Sequence, residues 1–156
     1  MITTSNINKA IVTHLQNLNI VMTKDIKNPV PPCLYVDYIA SNNTEIANET
    51  NQIRYSFGIY YFSDKNTLLD LTQKEIKLKK TFKKPLKVEY KDDKENILNR
   101  FLKISSLEID LNEDDYILNC IINFDFVESE IDENPYNHDY YNEDIMEDLE
   151  LDLENN

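Results

Sequence analysis

Residues 53–62, Ile-Arg-Tyr-Ser-Phe-Gly-Ile-Tyr-Tyr-Phe, decide how the rest of the chain is read. Their alternation puts Ile53, Tyr55, Phe57, Ile59 and Tyr61 on one face. Arg54, Ser56, Gly58 and Tyr60 fall on the other, so the segment predicts a strand with one buried side. Gly58 marks either a bulge or a close backbone approach. Upstream, CLYVDYIA at 33–40 is rich in β-branched and aromatic residues and predicts a second strand. The polar stretch 41–51 reads as the loop between the two.

Downstream, Ser63 or Asp64 is a good helix N-cap. A stripe of Leu68, Leu71 and Leu78, with Leu69 and Ile76 beside it, predicts a helix over about 65–80 that Pro85 stops. Leu86 to Tyr90 predicts a short strand, and 91–96 a turn. Residues 98–111 read as one strand whose phase changes near Ser105-Ser106, which implies a bulge. Glu113-Asp114-Asp115 then turns the chain into a last strand, Tyr116–Val127. At the start, Ile7, Ala10, Ile11, His14, Leu15 and Leu18 lie on one helical face, with Thr4 or Ser5 as cap. Ile20-Val21-Met22 is extended, and the prolines of 28–32 favour a loop. The expected architecture is α+β. It has a mainly antiparallel sheet, an N-terminal helix and a second helix packed on one side, and an acidic C-terminal extension.

The chain has 156 residues, 41% of them apolar, enough for one modest core. A single glycine rules out Gly-rich phosphate loops. Two cysteines and two histidines, far apart, cannot form a zinc site of the usual spacing. Cys33 and Cys120 sit in apolar runs and read as buried thiols of a reducing compartment. The polar N-terminus has no apolar segment of a secretory signal, and no stretch is apolar enough to span a bilayer. A soluble protein made in a cytoplasm, without a membrane partner, is expected.

The formal charge of -13 argues against nucleic acid as a specific partner. That charge is concentrated. Residues 129–156 hold eleven acids and no Lys or Arg, which leaves 18 acids (29 less 11) against 16 bases before them. The boundaries expected are a nearly neutral domain, 1–128, and an acidic extension, 129–156. The extension also carries Tyr140, Tyr141, Ile145, Met146, Leu149, Leu151 and Leu153, more apolar anchors than a solubilising tail needs. They are candidates for binding a partner that orders the segment. Inside the domain, Lys74, Lys77, Lys79, Lys80, Lys83, Lys84 and Lys87 crowd one stretch opposed only by Glu75. Lysines at a helix end also complement its dipole, so a solvated end and an electrostatic docking strip are both open readings.

No constellation for catalysis emerges. His14 belongs to the edge of an apolar helix face, as a satisfied half-buried histidine does. His138 sits among acids and tyrosines but lacks calcium-loop spacing and the glycine such a turn needs. Asp92-Asp93 and Asp114-Asp115 lie in turns, where aspartates serve the turn itself. Neither catalytic residues, a metal site nor a cofactor are expected, and the protein is not expected to be an enzyme.

Four features resemble the phage tail terminator family, the small α+β proteins that cap the tail tube of long-tailed phages and related tail-like particles. They are the helix over Ile7 to Leu18, the proline-led strand Pro32-Cys33-Leu34-Tyr35-Val36, Tyr55–Phe62 running into a helix, and the closing strand Ile121-Ile122-Asn123-Phe124-Asp125-Phe126. They cover residues 1–128 in the family's order; the acidic extension and the lysine strip lie outside the family pattern.

The resemblance implies a structural virion protein. It would form a homo-oligomeric ring, typically a hexamer, that docks on the last ring of tail tube protein and stops polymerisation. The ring would then face the neck connector protein and, in contractile tails, the tail sheath. DNA would pass through without specific binding, and the protein would sit at the neck end of the virion tail after assembly in the host cytoplasm. Docking would use Lys77, Lys79, Lys80, Lys83 and Lys84 against acids of a neighbour. Two alternatives remain open from the sequence: another head–tail joining protein of the completion or stopper kind, and an acidic interaction module or DNA mimic.

Overall fold

The computed structural model of the chain describes residues 2–47, 50–92 and 94–129. The expectations placed on Tyr140, Tyr141, Ile145, Met146, Leu149, Leu151 and Leu153 lie outside them.

Helix α1 spans Thr4–Leu15 and tightens into a 3-10 turn at Gln16–Leu18. Its cap is Thr3, one residue before those expected. The Thr3 hydroxyl accepts the Asn6 N–H, and the Asn6 side chain accepts the Thr3 N–H, so two end donors are satisfied together. Ile7, Ala10, Ile11 and Leu15 are buried, the stripe predicted from spacing. Two residues, Val21–Met22, form β1, which pairs in parallel with the start of β2 at Cys33 and Leu34. A loop with a cis Pro31–Pro32 peptide leads into β2.

β2 runs over Cys33–Ala47 and β3 over Thr50–Phe62, in an antiparallel hairpin. Residues 41–47, expected as loop, therefore continue the strand. Their side chains are exposed and, Ile46 and Ala47 apart, polar, so no apolar alternation marks them; cross-strand pairs such as Asn42 with Arg54 and Thr44 with Gln52 hold them extended. Register shifts fall at Ile39 and Ile46. Beyond Leu34, no described strand pairs with the outer edge of β2.

Helix α2 covers Leu68–Thr81. It begins later than expected and is capped by Thr67, because the Ser63 hydroxyl donates to Asp70 instead. Leu71 and Leu78 are buried, whereas Leu68 is 45% exposed and does not join the stripe. The segment read as one strand over 98–111 is two. β4 (Leu86–Lys91) and β5 (Ile97–Leu102) make a separate hairpin, while β6 (Ile104–Asn112) joins the main sheet. The predicted phase change is present as a bulge between Ile104 and Ser106. β7, Ile117–Ser129, closes the sheet between β3 and β6, giving the order β1-β2-β3-β7-β6.

Register explains the core. Leu34 lies opposite Tyr61 and Leu118, Val36 opposite Ile59 and Cys120, and Tyr38 opposite Phe57 and Ile122. Leu107, Ile109 and Leu111 extend these rows onto β6. Both helices and the β4–β5 hairpin cover this inner face, with Ile11, Leu71, Leu78, Val88 and Leu102 in the same apolar cluster. The α+β architecture with helices on one side is as expected. Both cysteines are free and buried, as the apolar runs implied; burial pushes the Cys120 thiol up to about 12.

Candidate subunit-docking surfaces

Covering one side of the sheet leaves two outward surfaces facing away from each other. The first belongs to α2. Leu71 and Leu78 point inward, so the helical period turns Leu69, Gln73, Ile76 and Lys80 outward, flanked by Lys77. Leu69 is 68% and Ile76 62% exposed, so this face carries apolar side chains beside its lysines. Lys77, Lys79, Lys80, Lys83 and Lys84 are all exposed. Lys79 is tied to Glu75 one turn earlier and, with Lys80, lies in the last turn, where it complements the helix dipole. Lys74 lies 5.2 Å from the centre of the Tyr61 ring, and Lys87 bonds Glu89. Lys77, Lys80, Lys83 and Lys84 make no ion pair among the described residues.

Asp70 anchors the start of this helix to the sheet. Its buried carboxylate accepts the Tyr61 and Ser63 hydroxyls, each at 2.7 Å. Burial alone would raise its pKa, but those two bonds, with Lys74 and Lys65 nearby, bring it below the ordinary carboxylate value. Burial, and next the bond to Asp70, raise the Tyr61 phenol. The group is a structural clamp.

The second surface is the outer face of the sheet, which no described element covers. Across β2, β3, β7 and β6 it runs in rows: Tyr35, Tyr60, Asn119, Asp110; then Asp37, Gly58, Ile121, Glu108. The row beyond is a hydrogen-bonded ladder in which Ser56 donates to Asn123, whose amide donates to Ser106 at 2.7 Å. Farther along, Arg54 grips Asp125 with two bonds, 2.6 and 3.0 Å, the arrangement that holds Asp125 below its usual pKa. Gly58 is the close approach that the sequence offered as one option: the register passes through it without a shift, and the Tyr60 ring lies where a Cβ would be, 2.9 Å away.

Asp37, Glu108 and Asp110 are exposed and make no ion pair among the described residues. Arg54 is the sole base on the outward phase of these four strands, and Asp125 neutralises it. This acidic group escaped the sequence reading because its members lie on two strands at opposite edges of the sheet. The alternation Leu107-Glu108-Ile109-Asp110-Leu111 did carry the signal for two of them.

An open groove of about 470 Å³ lies between α1 and β4. Asn6, Lys9, Thr13, His14 and Glu89 line it. His14 uses its Nε2–H to donate to the Thr81 carbonyl at 2.9 Å and stacks on Phe82, so it ties the two helices together. No group of three metal-ligating side chains occurs among the described residues, and no described helix is long and apolar enough to cross a membrane.

No curated protein matches the chain. Residues 4–136 match the family model described as "Phage tail terminator protein", a span that takes in both helices and all the strands above. The chain belongs to the phage tail terminator family, a structural family of the virion tail.

Proposed function

We propose that this protein ends tail-tube growth by forming a ring of identical copies, a hexamer, on the last ring of tube protein. The family match over 4–136 carries this reading. The ring then presents its free side to the neck connector protein and, in a contractile tail, to the sheath. A closed ring needs two unlike patches on each copy, related by a rotation. The lysine-bearing face of α2 and the acidic sheet face supply unlike charge on opposite sides of one sheet.

Lys77, Lys80, Lys83 and Lys84, with Lys79 at their margin, meet acids of the neighbouring copy. Tyr140, Tyr141, Ile145, Met146, Leu149, Leu151 and Leu153 bind an adjacent copy or the sheath through alternating apolar and acidic side chains. An overall charge of -13 keeps passing DNA from adhering.

The test is the mass of the purified chain in solution, with and without tail tubes, followed by imaging of tube ends. A ring, free or only at a tube end, is expected. A chain that stays monomeric and ignores tubes overturns the proposal, and a ring that binds the portal side instead makes it a head-completion or stopper protein.

A further inference from the structure

We infer that the acids met by the α2 lysines are Glu108 and Asp110 on the outer sheet face of a second copy, so that each copy lays its α2 across the next copy's sheet. This rests on the ring-forming reading above and names its interface. The two surfaces agree in charge, in apolar content and in size.

Each surface holds charges with no partner among the described residues: Lys77, Lys80, Lys83 and Lys84 on one, Asp37, Glu108 and Asp110 on the other. Leu69 and Ile76 are exposed beside the lysines, and Ile121, 39% exposed, lies between Asp37 and Glu108 in one row. Contact therefore buries apolar surface at the middle and pairs charges at one end. From Leu69 to Lys80 the helix is about 16 Å long at 1.5 Å per residue. Asp37 to Glu108 crosses three strand spacings, about 14 Å. The helix thus fits across the four strands, with its lysine end over β6, where Glu108 and Asp110 sit two residues apart on one face.

Orientation favours a neighbouring copy as the occupant. Within one chain α2 lies on the inner side of the sheet, where Asp70 accepts the Tyr61 hydroxyl, so its lysines cannot reach the outer face of their own sheet. A second copy can, and the relation is head-to-tail, which closes by rotation.

Three variants of the whole chain test this: K77E/K80E/K83E, E108K/D110K, and the chain combining all five changes. All five sites are exposed, and unchanged circular dichroism and urea midpoints establish folding before assembly is measured. Sedimentation at low and high salt, and capping of tail tubes, are then compared with the natural chain. Each one-sided variant should lose association by at least about tenfold, because like charges then face each other. The combined chain, with both polarities inverted, should recover it. Normal assembly by either one-sided variant overturns the interface, as does failure of the combined chain to recover. In the latter case a chain with Glu147, Asp148, Glu150, Asp152 and Glu154 changed to amides shows whether the lysines serve the acidic extension instead. If the natural chain forms no ring even on tubes, the terminator assembly itself fails, a result separable from every other because no variant is involved.

Discussion

The two faces of the main sheet are made by the same strands and could hardly differ more. Along β3, Ile53, Phe57, Ile59 and Tyr61 are at most 9% exposed on the inner side. Between them, Arg54, Ser56 and Tyr60 hold hydrogen bonds or ring contacts on the outer side. The inner face is fixed by exclusion of water, which acts on every side chain there. The outer face is ordered locally by a few polar bonds, each of small net worth. Stability is therefore concentrated on one side of a sheet barely one residue thick, and the other side is free to carry recognition.

Substitutions at matched positions should expose the asymmetry. Phe124 is fully buried on β7, and Phe124→Ala should cost about 3–5 kcal/mol by urea denaturation. A loss below about 1 kcal/mol would mean that the inner face is loosely packed.

The next largest effect concerns Asp70, the buried charge of the inner layer. Asp70→Asn leaves one oxygen for the two hydroxyls but removes the charge that strengthens both bonds, and should cost about 1–3 kcal/mol at neutral pH. The pH dependence has a definite sign. A carboxylate whose pKa is lowered by folding stabilises above its unfolded value of about 4, and that stability is lost as pH falls through the folded value. The gap between the two chains should therefore shrink as pH falls below about 4 and close below the folded value. A constant gap down to strong acid would show that Asp70 acts through shape alone.

Asn123, one strand position from Phe124 but on the outer face, should cost only about 1 kcal/mol as Asn123→Ala, through its bonds to Ser56 and Ser106. Equal losses at 123 and 124 would abolish the contrast between faces. The smallest change is expected for Gly58→Ala, within about 0.5 kcal/mol, because the new methyl meets only the far end of the Tyr60 side chain, which can swing toward solvent. A large loss there would place Tyr60 among the supports of the fold.

Elements with an apolar period were legible from the residues alone. The β3 alternation and the α1 stripe occupy the expected faces, since burial on one side imposes the pattern that is read. Residues 41–47 were not legible: a strand solvated on both faces needs no alternation, and Asn42, Asn43 and Thr44 look like any loop. Nor was the split at Lys103, where the chain leaves one sheet for another without a Pro or Gly to mark it. The lysine strip was visible because its members are neighbours in sequence. Its acidic counterpart depends on strand register, which sets Asp37 in line with Glu108 across 71 positions of chain.

The outer edge of β2 carries a consequence of its own. From Tyr35 to Ala47 its backbone donors and acceptors meet no described strand, and so long a bare edge invites a further strand to add, then another. Ile39 and Ile46, each about half exposed, sit where the β2 register slips, and Asp37 and Glu45 bring charge to the same margin. A visiting strand would find the hydrogen-bond spacing broken twice within eight residues. This member of the tail terminator family is thereby kept from seeding a sheet polymer of its own.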